Sequence, residues 1–186
     1  MATAHQTRST IDDLMKIEGK AELIGGKIMR FMPTGRIPNR VAGQIYRSLA
    51  DHAERVGDGE AFTDGVGYAV QELASGRESF CPDASYFSGP FPDNPMRFLE
   101  GPPRFAVEVR SDGDYGPAAE RAIASKRNDY FEAGTSVVWD VDPKSQTITA
   151  CRADQPGVPR TFLRGDLADA EPAIDGWRVP VDRLFS

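Results

Sequence analysis

Apolar positions fall in short runs along this chain, separated by turns rich in glycine, proline and acids. AELIGGKIMRFM carries two such runs on either side of Gly25 and Gly26, which predicts a β-hairpin. Ahead of it, Thr10 followed by Ile11, Asp12 and Asp13 predicts an N-cap with acids in the first turn of a short helix ending near Gly19. Val41, Ile45, Leu49 and Val56 recur at nearly helical spacing, so residues 39–56 are expected as an amphipathic helix stopped by Gly57 and Gly59. Residues 61–72 alternate loosely around Gly65 and Gly67, as a bent or bulged strand does.

Farther along, residues 84–87 predict a strand, and the proline-rich SGPFPDNPMRFLEGPP predicts a surface loop unable to join a sheet. RFAVEVR and SVVWDVD are strand patterns. Between them, Pro117 suits a first helical turn, Gly134 suits a C-terminal cap, and AAERAIASKRNDYFEA is rich in helix formers. This strand, helix, strand passage from Arg104 to Asp142 favours a right-handed crossover within a mixed sheet. TITACRA, a short strand near Thr161 and the closing WRVPVDRLF predict a β-rich C-terminal extension. The fold class expected is α/β, a mixed central sheet flanked by helices.

Composition narrows the picture. With 186 residues the chain suits one domain, expected over residues 10–186 behind a mobile tail of residues 1–9. No stretch is long and apolar enough to span a bilayer, and MATAHQTRSTIDDL lacks the apolar core of a secretory signal. Cys81 and Cys151 are too few for a disulfide framework and lack structural-zinc spacing, so a reducing, cytoplasmic setting is expected. The 28 acidic residues exceed the 22 basic ones for a net charge of -6, the wrong sign for coating nucleic acid nonspecifically. Any such contact must be local. Arg36, Arg40, Arg47, Arg110 and Arg127 are candidates for a local basic surface, or are ordinary solvated arginines.

The candidate chemistry is carboxylate and lysine chemistry. His5 and His52 are the only histidines, and GxSxG, P-loop and GxGxxG patterns are absent. Asp83 stands directly before a predicted strand. Glu108 interrupts the apolar strand FAVEV, sharing a face with Ala106 and Arg110 opposite Val107 and Val109. A carboxylate there needs a partner or a metal, or else faces solvent; Arg110 is one candidate partner. Lys126 lies three residues after Ile123 and four before Tyr130, on the side of the helix that faces the sheet, either as a functional cation or as a snorkelling lysine. Tyr130 reads better as packing than as catalysis. Glu22, ahead of the hairpin turn, could reach the same cluster.

The order of these motifs resembles the Uma-two family of restriction endonucleases, within the PD-(D/E)XK nuclease superfamily. AELIGGKI is similar to the family's glutamate-led hairpin, RVAGQIYRSLADH to its first long helix and CPDASYF to its PD strand. PPRFAVEVRSDGD is similar to its glutamate strand, K126RNDYFEAG134 with TSVVWDVDP to its lysine helix and next strand, and VPVDRLF to its terminal segment. The resemblance implies a restriction-endonuclease-like core and a DNA endonuclease dependent on Mg²⁺ or Mn²⁺. It implies Asp83 and Glu108 as metal ligands, Lys126 as the catalytic lysine drawn from a helix, and Glu22 as a supporting carboxylate. A homodimer would suit duplex cleavage. Two departures stand out: Pro38-Asn39 where many relatives carry histidine, and Ser111-Asp112-Gly113 in place of Ser-Pro-Ser. With the acidic balance, they make a non-catalytic binding domain on the same fold the rival expectation.

Overall fold

A computed structural model describes residues 8–186. Most of the expected tail, residues 1–7, lies outside the described residues; Ser9 donates its N–H to Gly26 O at 2.9 Å. In chain order the elements are α1 (Ile11–Leu14), β1 (Ala21–Ile24), β2 (Lys27–Arg30), α2 (Arg36–Val56), β3 (Glu60–Thr63), β4 (Tyr68–Ala69), β5 (Ser79–Phe80), β6 (Ala84–Phe87), β7 (Leu99–Glu100) and β8 (Phe105–Val109). Then come α3 (Pro117–Ala133), β9 (Val137–Asp142), β10 (Thr147–Arg152), β11 (Arg160–Phe162), β12 (Leu167–Asp169), β13 (Arg178–Pro180) and α4 (Val181–Leu184).

Six strands form the central mixed sheet in the order β11-β10-β9-β8-β6-β3. Its one parallel pair is β8 with β9, joined through α3 as the strand, helix, strand pattern requires. The period-two alternation of these strands sorts their side chains onto two faces. Phe105, Val107, Val109, Val137, Trp139 and Val141 face α2, α4 and the C-terminal segment around Trp177. Ala106, Phe87 and Val138 face the opposite way, onto Tyr130 of α3 and onto the small sheet β5-β4-β7. Among the described residues no helix is long and apolar enough to cross a membrane.

The hairpin β1-β2 forms with Gly25 and Gly26 both at positive φ, the backbone that a tight two-residue turn between twisted strands demands. Thr10 caps α1 through a reciprocal capping box with Asp13, but that helix ends at Leu14, well before Gly19. Helix α2 starts at Arg36, three residues before its expected start, and stops at the left-handed Gly57. Arg36, Arg40 and Arg47 lie exposed along it.

Three expectations need correction. Residues 61–72 form two strands, not one: the chain turns at Asp64-Gly65, and β3 and β4 enter different sheets. The proline-rich segment does join a sheet, because Leu99 and Glu100 lie beyond the prolines at 90–95 and pair in parallel with Tyr68 and Ala69. VDRL at the end is helical, since Val181 and Leu184, three apart, both bury against the α2 side of the core.

Tyr68 and Ser85 bond hydroxyl to hydroxyl at 2.8 Å between the two sheets, both buried. Tyr68→Phe leaves the Ser85 hydroxyl dry and unpaired, so urea unfolding should show a loss of about 1–2 kcal/mol, with Ser85→Ala in the same chain recovering most of it. Additive losses from the two changes would mean the hydroxyls do not depend on each other.

Candidate active site

Glu108, Lys126 and Glu22 converge from three elements onto the α3 face of the sheet. Glu108 projects from β8 between apolar neighbours that point the other way. Its carboxylate takes Lys126 Nζ at 2.9 Å and the Tyr130 hydroxyl at 2.6 Å. Lys126 also reaches Glu22 Oε1 of β1 at 3.0 Å. Lys126 therefore points at the sheet, and Tyr130 does two jobs: its ring stacks on Phe80 at 4.1 Å while its hydroxyl orients Glu108. Arg110 does not pair with Glu108; it is held by Asp140 at 2.6 Å and by Glu120.

Asp83 sits just before β6, where the β6–β8 ladder runs out. Its own N–H bonds to Val107 O at 3.0 Å. Its Oδ2 accepts the Val109 N–H at 2.7 Å, standing in for the next rung of the ladder. The aspartate is thus fixed by main chain one strand away from Glu108.

Two cations escaped the sequence reading. Lys20 donates to Asp83 at 2.6 Å and to Asp64 at 2.8 Å. Arg77 is buried and clamps Glu22 on one side and Asp129, at 2.8 Å, on the other. One signal could have found Lys20: it stands two residues before Glu22, on the same side of an extended chain. Arg77 gives none, because it stands in an isolated β-bridge just after a turn and meets partners more than fifty residues away.

The charges differ in how well they are matched. Glu22 is fully buried, which would raise its pKa, but Lys126, Arg77 and the Cys81 N–H more than offset burial and hold it below the ordinary glutamate value. Glu108 goes the other way: burial, then repulsion from Asp83 and Glu22, outweighs Lys126 and pushes its carboxyl up. Burial opposes the ammonium of Lys126, but Glu108 and Glu22 dominate and keep it protonated. Burial also pushes the neighbouring Cys81 thiol up to about 11, which makes it a poor nucleophile.

Lys20, Glu22, Arg77, Asp83, Glu108 and Lys126 line a cavity of about 690 Å³. Six carboxylates line the cavity, Glu22, Asp64, Asp83, Glu108, Asp114 and Asp140, against five cations, Lys20, Arg77, Arg110, Lys126 and Arg127, which leaves one negative charge in excess. That surplus, carried on hard oxygen donors, fits a divalent cation such as Mg²⁺. Among the described residues no three His, Cys, Asp or Glu side chains are gathered to hold a metal by themselves. The protein would therefore offer two carboxylates, Asp83 and Glu108, with water and a substrate phosphate filling the other positions, the usual division of labour for Mg²⁺.

Comparison with known proteins finds a matching family and a similar solved structure. A family model named Uma2 and described as "Putative restriction endonuclease" matches residues 11–182. A crystal structure of a "putative nuclease belonging to DUF820" from Anabaena variabilis is 20% identical, with a TM-score of 0.72 over 95% of this chain and 97% of that one. At that identity the likeness is one of fold, and the fold is a restriction-endonuclease-like core. No curated protein matches the chain.

Proposed function

Since the chain belongs to the Uma2 family over residues 11–182, we propose that it is a metal-dependent endonuclease that hydrolyses phosphodiester bonds of DNA, using Mg²⁺ or Mn²⁺. The observation that carries this reading is the meeting of Asp83, Glu108 and Lys126 in one cavity, with negative charge in excess. Asp83 and Glu108 are the proposed ligands. A divalent ion held there supplies charge neutralisation at a phosphate and lowers the pKa of water.

The remaining work belongs to the chain itself. Lys126 is kept protonated by Glu108 and Glu22, so its role is that of a fixed cation facing the charge that develops on phosphorus oxygens, and not that of a base. Glu22, itself clamped by Arg77, holds Lys126 from behind, and Tyr130 and the Val109 N–H fix the two ligand carboxylates. A second reading, a binding domain without catalysis, draws support from Lys20, which already occupies Asp83.

Supercoiled plasmid separates the two. The protein should nick it with Mg²⁺ or Mn²⁺ and leave it intact with EDTA. Calorimetry should detect a divalent ion binding at millimolar concentration or below. No cleavage and no metal binding would decide for the binding domain.

A further inference from the structure

An apolar lip borders the cavity that holds the carboxylates. Met29 (48% exposed), Phe31 (42%) and Met32 (87%) come from β2 and the strap that follows it, and all three line the cavity. The strap crosses to the far rim, where Thr34 and Ser111 bond hydroxyl to hydroxyl at 2.6 Å. The ring of Phe31 lies 5.7 Å from Lys126 Nζ, so an aromatic face and the site's central cation are within the reach of one nucleotide. The proposed ligand carboxylates are recessed, with the side chain of Asp83 only 17% and that of Glu108 only 25% exposed.

The surroundings do not suit a long duplex. Duplex binding rests on several free cations along the backbone. Of the cations that line this cavity, Lys20, Arg77, Arg110 and Lys126 already carry carboxylates, and only Arg127 forms no ion pair among the described residues. A cavity of about 690 Å³ is instead the size of pockets that enclose small ligands, roughly 300–1,000 Å³. Stacking on an aromatic side chain provides affinity without surface charge and tolerates any base.

We infer that this cavity seats one unpaired nucleotide, its base on Phe31 between Met29 and Met32 and its phosphate at Lys126 and the two carboxylates. The substrate class is DNA whose scissile strand is unpaired at the cut: single-stranded, flapped or locally melted. This rests on the nuclease reading above. The negative net charge then ceases to be an obstacle, because affinity comes from stacking and from one metal-bridged phosphate.

The test uses oligonucleotides of one sequence as a single strand, a flap and an intact duplex, each carrying 2-aminopurine near the middle. With Mg²⁺, the single strand and flap should be cut at least about tenfold faster than the duplex, which must first be unpaired. Phe31→Ala should raise KM for the single strand by about 5- to 100-fold with little change in kcat, and Phe31→Tyr should restore it. In Ca²⁺, quenching of 2-aminopurine should accompany binding to the wild type and weaken in Phe31→Ala. Phe31 is exposed enough that its loss leaves folding intact, which a thermal melt checks. Equal cutting of duplex and single strand, or a KM indifferent to Phe31, overturns the inference while leaving a nuclease. Phe31-dependent quenching without any cleavage keeps the nucleotide seat and removes the nuclease; neither binding nor cleavage removes both.

Discussion

Asp83→Asn should lower metal-dependent DNA cleavage by about a thousandfold, while leaving the protein folded. The substitution is chosen for what it preserves. An amide oxygen can still accept the Val109 N–H that Asp83 takes at 2.7 Å, so the end of the β6–β8 ladder keeps its rung. What disappears is one negative charge beside Glu108, and with it the reason for a divalent ion to settle between them. Relief of that repulsion should also let Glu108 ionise more easily, since Asp83 is one of the groups that push its carboxyl up. Lys20 keeps a partner in Asp64 at 2.8 Å, so no ammonium is stranded. Asp64→Asn provides the contrast: it removes a similar charge from the rim and should cost less than about tenfold. Initial rates and calorimetric Mg²⁺ affinities measure both. A full rate for Asp83→Asn would take the residue out of the reaction.

The parts of this site that local pattern exposes are those on regular elements. Glu108 is conspicuous because it breaks an apolar alternation, and period two puts it on the face opposite Val107 and Val109, where β8 has it. Asp83 is marked by its place before a strand. Lys126 needed the family resemblance: its spacing from Ile123 and Tyr130 says which side of the helix it occupies, but a core-edge lysine has the same spacing. Glu22 looked like any strand glutamate, and only its complete burial between Arg77 and Lys126 distinguishes it.

What stayed hidden depends on chain segments that meet from far apart. Arg77 sits in an isolated bridge after a turn and Lys20 in the approach to a hairpin, and neither has a periodic context that could report a partner. Their role follows from tertiary electrostatics: a face that collects several carboxylates must also collect cations, or it would not fold at neutral pH. The same reasoning explains β7, whose two residues are too few to display alternation and are recruited only because β4 presents an open edge.

Arg77→Met should destabilise the protein by about 3–5 kcal/mol, because it strips the buried cation from two carboxylates at once. The Arg77 side chain is 9% exposed, that of Glu22 0% and that of Asp129 9%, so water cannot replace the guanidinium. Glu22 would keep the Cys81 N–H and Lys126, and Asp129 would lose the cation it holds at 2.8 Å. Adding Glu22→Gln to the same chain should recover part of the loss by removing one of the stranded charges, although Asp129 still lacks its partner. Urea denaturation of the four proteins in that cycle measures the coupling. The consequence extends to the reaction. With Arg77 gone, Glu22 has only Lys126 to balance it and should draw the ammonium away from Glu108, so cleavage should fall even where enough folded protein remains to assay. A loss under about 1 kcal/mol for Arg77→Met would mean that Glu22 and Asp129 are solvated or protonated in the native protein, and that Lys126 is positioned by Glu108 and Tyr130 alone.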